Sequence, residues 1–294
     1  MEETITNLVE KELNCKVLDI SVIGKGASAT VYKVKISTFP NYIAIKSSDY
    51  PQVIFDEYNT INFISSKVDC KLPKLYFFKE IRGKGFLGME LIEGVEASPK
   101  NLILKRNKNK LTNEIVDNLI KIHSIHNDKY GPIDNAVYNS WYEYYNEFAK
   151  EIVSFTNNSD VSDTVKKAVN TAYKKLPEII GNDKNNATLS HGDYWLPNFI
   201  IDTKNMSLKG VIDPFNVMWT EPEYELFALT VGYGKNLHLY DIYKSKTDTS
   251  ENCDIKVELY ALFNELLWYK TLGKVGFRYL EYRSKRLLKA IDKM

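Results

Sequence analysis

Between residues 191 and 213 the chain alternates polar and apolar runs in an order that leaves little freedom of fold. His191-Gly192-Asp193-Tyr194-Trp195-Leu196-Pro197-Asn198 leads into Phe199-Ile200-Ile201, then Thr203-Lys204-Asn205-Met206-Ser207, then Val211-Ile212-Asp213-Pro214. Two short β-forming runs around a turn-forming centre predict a hairpin. Such a hairpin carries Asp213 back toward Asn198. Any one Asp or Asn here could simply make a turn, but His191, Asp193, Asn198 and Asp213 in sequence exceed what a turn needs.

The pattern on either side differs in period. Residues 17–46 alternate apolar and polar positions around Gly24 and Gly26, with strands indicated at Val31, Val34 and Ile36 and at Ile43, Ala44 and Ile45. Tyr58, Ile61 and Ile64 give the segment Asp56 to Ser65 helical spacing, and further strands are indicated near 74–79 and 85–92. Past Gly94 the period becomes helical: Ile115, Val116, Leu119 and Ile120 form one stripe and Trp141, Tyr145 and Phe148 another. Residues 255–293 read as two closing helices. The expected architecture is α+β in two lobes, a small β-rich lobe over 1–94 and a larger helical lobe over 95–294.

Phosphoryl transfer requires phosphates to be held, a divalent metal to be ligated and an acceptor hydroxyl to be oriented. Gly24-Lys25-Gly26-Ala27-Ser28-Ala29-Thr30-Val31 lies between strand-like runs, where small residues let backbone approach a phosphate. Ile43-Ala44-Ile45-Lys46 repeats the kinase strand pattern whose lysine reaches the α- and β-phosphates, and Glu57 is placed to hold it, with Asp56 as the rival. In the same template the first Asp, here Asp193, orients the acceptor hydroxyl, while Asn198 and Asp213 are hard oxygen ligands for magnesium.

These motifs together resemble the aminoglycoside phosphotransferase and fructosamine kinase superfamily, which has a protein-kinase-like fold. The resemblance runs from the glycine-bearing strands to Glu223-Tyr224-Glu225-Leu226-Phe227-Ala228. Gly192 and Pro214 stand where protein kinases place Arg and Phe, and no Ala-Pro-Glu segment follows Asp213. The resemblance implies an ATP- or GTP-dependent enzyme that phosphorylates a hydroxyl of a small aminated sugar-like molecule with Mg2+ between the lobes. It implies a nucleotide site of Gly24, Gly26, Ser28, Val31, Ala44, Lys46 and Glu57, with a hinge whose backbone near Glu90 and Ile92 bonds the purine edge while Met89 sits behind the base. Glu225 would brace the catalytic loop from below. Trp195 and the Asp213-Pro214 pair resemble fructosamine kinases, and a choline-type metabolite kinase differs only in acceptor. A nucleotide-binding pseudokinase module is the reading of another class, motivated by Ala29 at the third glycine position.

Charge excludes partners rather than naming one. The 39 Lys and Arg against 38 Asp and Glu leave a net charge of +1, which provides no global field for nucleic acid. Lys105 to Lys110 reads as a solvated loop. Three scattered cysteines match neither a disulfide framework nor zinc spacing, and no secretory or membrane segment stands out, so a cytoplasmic protein is expected. Glu221 and Glu223 are candidate partners for an acceptor ammonium, with an ordinary solvated loop as the alternative. His123 and His126 are assigned to a helix end rather than to a metal.

Overall fold

The computed structural model describes residues 1–26, 28–181 and 187–294; Ala27 of the glycine turn lies outside them. The chain starts with a helix, α1 (Glu2–Leu13), that precedes the first element read from sequence. Its buried side chains are Ile5, Leu8 and Val9, a short i, i+3, i+4 stripe that stands out weakly among acidic neighbours. Strands β1 (Val17–Lys25), β2 (Thr30–Ile36) and β3 (Tyr42–Ser48) follow, then α2 (Pro51–Lys67), β4 (Leu75–Ile81) and β5 (Lys84–Glu90). They make one antiparallel sheet in the order β1-β2-β3-β5-β4.

Strand alternation gives this sheet two different faces. Tyr32, Val34, Ile36, Ile43, Ile45, Phe77 and Phe86 pack with Ile5, Leu8 and Val9 of α1. On the other face Ala44, Leu87 and Met89 pack with Ile54 of α2, alongside Val31 and Tyr58. Burying each Val, Leu, Ile, Phe or Met side chain among them contributes about 1.5–3 kcal/mol before the entropy of ordering is charged.

Downstream come β6 (Val95–Glu96), α3 (Pro99–Leu102) and α4 (Asn109–His123), reached through the exposed Lys105 and Arg106. Next are β7 (His126–Asn127), β8 (Gly131–Pro132), α5 (Trp141–Asn157), α6 (Asp163–Lys174), α7 (Leu176–Ile180) and β9 (Ala187–Leu189). Ser140 caps α5 by accepting from the Glu143 amide at 3.1 Å, and Glu143 reaches back to the Asn139 amide at 2.9 Å. The expected hairpin forms as β10 (Phe199–Asp202) and β11 (Ser207–Val211), and β12 (Met218–Thr220) follows. The helices α8 (Leu239–Lys246), α9 (Cys253–Leu272) and α10 (Phe277–Ile291) close the chain.

Two compact units emerge, and their extent differs from 1–94 and 95–294. The first comprises Met1–Leu111 with Pro197–Phe215, the second Thr112–Leu196 with Asn216–Met294. The hairpin joins the first unit because β10 also pairs with β6, Ile200 opposite Glu96 and Ile201 opposite Val95. Gly94 permits that approach: a Cβ there would lie 2.7 Å from Ile200 Cγ2 and from the Ile201 carbonyl oxygen. In the second unit a small antiparallel sheet runs β7-β9-β12-β8. The central helix α9 buries consecutive positions from Lys256 through Phe263, so no face of that stretch is left to water.

Candidate active site

Lys46 sits near the centre of β3, and the register places Gly24, Val31, Lys46 and Leu87 as successive cross-strand partners on one face. That face also carries Ala44 and Met89, two residues along from Lys46 and Leu87, and meets α2. Glu57 projects from α2 into the same place. The Lys46 Nζ lies 2.7 Å from Glu57 Oε2 and 2.6 Å from Asp213 Oδ1. Asp56 takes no part: it accepts a hydrogen bond from Gln52 at 2.6 Å on the exposed side of the helix. One residue on an α-helix is a turn of about 100°, which is why only one of two adjacent acids can face the sheet.

Burial opposes the charge on Lys46, but Glu57 and then Asp213 outweigh it and hold the ammonium above its ordinary pKa. The Glu57 carboxylate is nearly sealed, and its Oε1 has no hydrogen-bond partner among the described residues. Asp213 is the open member, its side chain 43% exposed. Its φ of 57° is left-handed, uncommon for a residue with a side chain and tolerated by Asp better than most. The preceding backbone is pinned on both sides, Val211 N to the Lys71 carbonyl at 2.7 Å and Ile212 N to the Asn198 carbonyl at 2.9 Å. Thus Asn198, itself buried, and Asp213 are joined one residue apart across the base of the hairpin.

The glycine turn connects β1 to β2, with Gly26 N donating to the Ala29 carbonyl at 2.8 Å and Ser48 Oγ holding the Ser28 carbonyl at 2.6 Å. Neither Gly24 nor Gly26 has a positive φ, and a Cβ at either would meet only ordinary contacts of 3.8 Å and 3.6 Å. The fold itself does not require glycine at these two positions. At the end of β5, Met89 is buried against Ala44 and Leu87. The Glu90 amide donates to the Lys74 carbonyl at 2.7 Å, whereas the Ile92 amide, beyond the ladder, makes no backbone hydrogen bond among the described residues. The Glu90 amide is therefore committed within the first unit, and of the Glu90 backbone its carbonyl is the group a purine edge would meet.

In the second unit Glu225 organises the loop before Asp193. Its Oε1 accepts from the His191 amide at 2.9 Å and its Oε2 from the Gly192 amide at 3.1 Å. His123 Nε2 lies 2.8 Å from Oε1, and His123 Nδ1 lies 2.7 Å from the Tyr243 hydroxyl. Burial raises the Tyr243 pKa, so its hydroxyl keeps its proton, and the His123 ring bridges that hydroxyl to Glu225. Burial would raise the Glu225 pKa, but the His123 hydrogen bond and charge, then His191, leave it below the usual carboxylate value. Gly192 has φ 81°, which supplies the turn into Asp193. Tyr194 is buried and tied to α4, donating to the Ile115 carbonyl at 2.7 Å, while its neighbour Trp195 is 38% exposed. His123 thus ends a helix as expected, but its role as the bridge to Glu225 carries no sequence signal of its own.

Glu221 and Glu223 overturn both sequence readings. They are neither solvated nor open to an acceptor, because the Lys256 ammonium of α9 lies 2.9 Å from Glu221 and 2.7 Å from Glu223 with all three side chains buried.

Residues 19–239 match the model of the phosphotransferase enzyme family, a span that includes Lys46, Glu57, Asp193, Asn198, Asp213 and Glu225. The chain belongs to that family. This phosphotransferase is 24% identical over 225 residues to "Uncharacterized protein YcbJ" of Escherichia coli K12, covering 74% of the present chain and 75% of the relative. Its fold is similar to the structure named "Putative fructosamine-3-kinase" from Haemophilus somnus 129PT, with TM-score 0.74 and 12% identity over 99% of this chain and 97% of that one. It is also similar to a thermostable mutant of the aminoglycoside phosphotransferase APH(4)-Ia bound to AMP-PNP and hygromycin B, TM-score 0.72, 13% identity, 98% of both chains. The GDP complex of wild-type aminoglycoside 2'-phosphotransferase-IIIa gives TM-score 0.70 at 13% identity, covering 98% of this chain and 97% of that one. The phosphotransferase therefore has the α+β, protein-kinase-like fold of small-molecule kinases.

Proposed function

We propose that this enzyme transfers the terminal phosphoryl group of ATP or GTP to a hydroxyl of a small aminated sugar-like acceptor. The observation that carries the reading is the Lys46 ammonium held between Glu57 at 2.7 Å and Asp213 at 2.6 Å, because a lysine so fixed presents one positive charge beside an exposed carboxylate. Two similar structures are complexes with hygromycin B and with kanamycin, which supports the choice of an aminated sugar.

The residues suit magnesium. Among the described residues no three His, Cys, Asp or Glu side chains gather to cage a metal. A site of one amide and one carboxylate, Asn198 and Asp213, instead leaves positions for phosphate oxygens and water, as Mg2+ prefers. When bound, the metal would offset charge on the phosphate oxygens. Lys46, held by Glu57, would bind the α- and β-phosphates, and Gly24, Gly26, Ser28, Val31, Ala44, Met89, Glu90 and Ile92 would line the nucleotide. Asp193 would accept the acceptor hydroxyl proton as the new O–P bond forms and the bond to the departing nucleoside diphosphate breaks. Trp195 presents an exposed ring two residues beyond Asp193, where it would lie against the acceptor.

A transfer assay with Mg-ATP and Mg-GTP against aminoglycosides, ketosamines and amino alcohols tests the reading. A phosphorylated aminated sugar is the expected product. In that assay Asp193→Ala should lose more than about a hundredfold in turnover, the scale of general-base catalysis, while binding nucleotide as the wild type does. Near-normal turnover by that variant would remove Asp193 from the mechanism.

A further inference from the structure

The second unit contains a buried ammonium that no step above uses. Lys256 is 2% exposed at its side chain, as is Glu221, and Glu223 is 5% exposed. The Tyr260 hydroxyl donates to Glu221 Oε1, and the Trp141 indole donates to the Tyr260 oxygen at 3.0 Å. Ser250 donates to Glu223 through both its amide and, at 2.7 Å, its hydroxyl. Every oxygen of both carboxylates therefore has a partner, and both belong to one short segment.

That segment is joined to the catalytic loop at both ends. Upstream, the Met218 carbonyl accepts from the Ser190 amide at 2.9 Å, and Ser190 Oγ accepts from the Met218 amide at 3.2 Å. Downstream, Glu225 accepts from the amides of His191 and Gly192. The segment turns on itself between these ends, with Tyr224 N donating to the Glu221 carbonyl at 3.1 Å and Leu226 N to that of Glu223 at 3.3 Å. Lys256 grips the middle of a strip whose two ends hold Ser190, His191 and Gly192, the three residues before Asp193.

We infer that Lys256 is a positioning residue for phosphoryl transfer: through Glu221 and Glu223 it fixes the strip that sets the backbone leading into Asp193. The idea rests on the assignment of Asp193 as the acceptor-orienting group. Burying an ammonium between two carboxylates is an expensive way to fill a core, since apolar residues of similar volume commonly serve stability as well or better. What this hydrogen-bonded cluster provides over an apolar contact is direction, because hydrogen bonds fix the angle of the strip as well as its distance.

Two variants separate position from stability. Lys256→Met leaves two buried carboxylates facing each other; Lys256→Met with Glu221→Gln and Glu223→Gln removes every charge of the cluster and keeps its volume. The first readout is hydrogen exchange of the full chain across residues 187–196, referenced to α6. The second is the slow hydrolysis of Mg-ATP and Mg-GTP by water, measured as kcat and KM, with Lys46→Met as the inactive reference.

The triple variant should fold, exchange the 190–192 amides at least tenfold faster with α6 unchanged, and lose at least tenfold in kcat at an unchanged nucleotide KM. Unchanged exchange at 190–192, or normal kcat in a folded variant, overturns the inference. Failure of both variants to fold also overturns it, since the cluster would then serve the core alone. Wild-type protein that hydrolyses neither nucleotide and transfers to no acceptor would count against the kinase reading instead, and the exchange result would still decide the positioning claim.

Discussion

Lys46 illustrates how one charge can be placed by three separate parts of a chain. Its strand neighbours fix its face, α2 supplies Glu57 and the hairpin supplies Asp213. Taking away the ammonium would leave Glu57 buried with no counter-charge, so Lys46→Met should lower turnover by about 10²–10³, the loss typical when a preorganised charge is removed. The same substitution should raise the nucleotide KM. Asp56→Asn, one position from Glu57 but on the solvent side, should leave both constants unchanged in the same steady-state assay. Equal effects of the two changes would contradict the assignment of Glu57 as the partner.

Glycines separate elements shaped for the fold from elements shaped for a ligand. At Gly94 a side chain would collide with the Ile201 carbonyl of β10, a rigid neighbour, so Gly94→Ala should destabilise the chain by about 1–3 kcal/mol in urea unfolding. At Gly24 the nearest atom to an added Cβ is Val31 Cβ at 3.8 Å, an ordinary contact. Gly24→Ala should therefore keep its unfolding midpoint and instead raise the nucleotide KM. The hairpin is legible from sequence because its signal is local, two β-forming runs around turn residues. Its third strand, Val95–Glu96, is invisible there, since a two-residue strand has no period to read.

At the scale of the whole chain, pH reports on Glu225. Because His123 and the loop amides hold its pKa below the ordinary glutamate value, its contribution to stability is complete above that value and disappears as pH falls through the lowered folded one. Glu225→Gln should cost about 3 kcal/mol at neutral pH, as for a buried pair that loses one partner. The gap from wild type should narrow in acid below the ordinary glutamate value. A constant gap in acid titrations followed by denaturant would contradict this. The hairpin between Asn198 and Asp213 and the change from strand period to helical period were readable along the chain, because each rests on a local pattern, and the resemblance implied Glu225 as a brace. The choice of Glu57 over Asp56, the Lys256 grip on Glu221 and Glu223, and the allocation of residues 197–215 to the first unit were decided only by tertiary structure. Each depends on which face of an element meets another element far away in sequence, and no local pattern encodes that meeting.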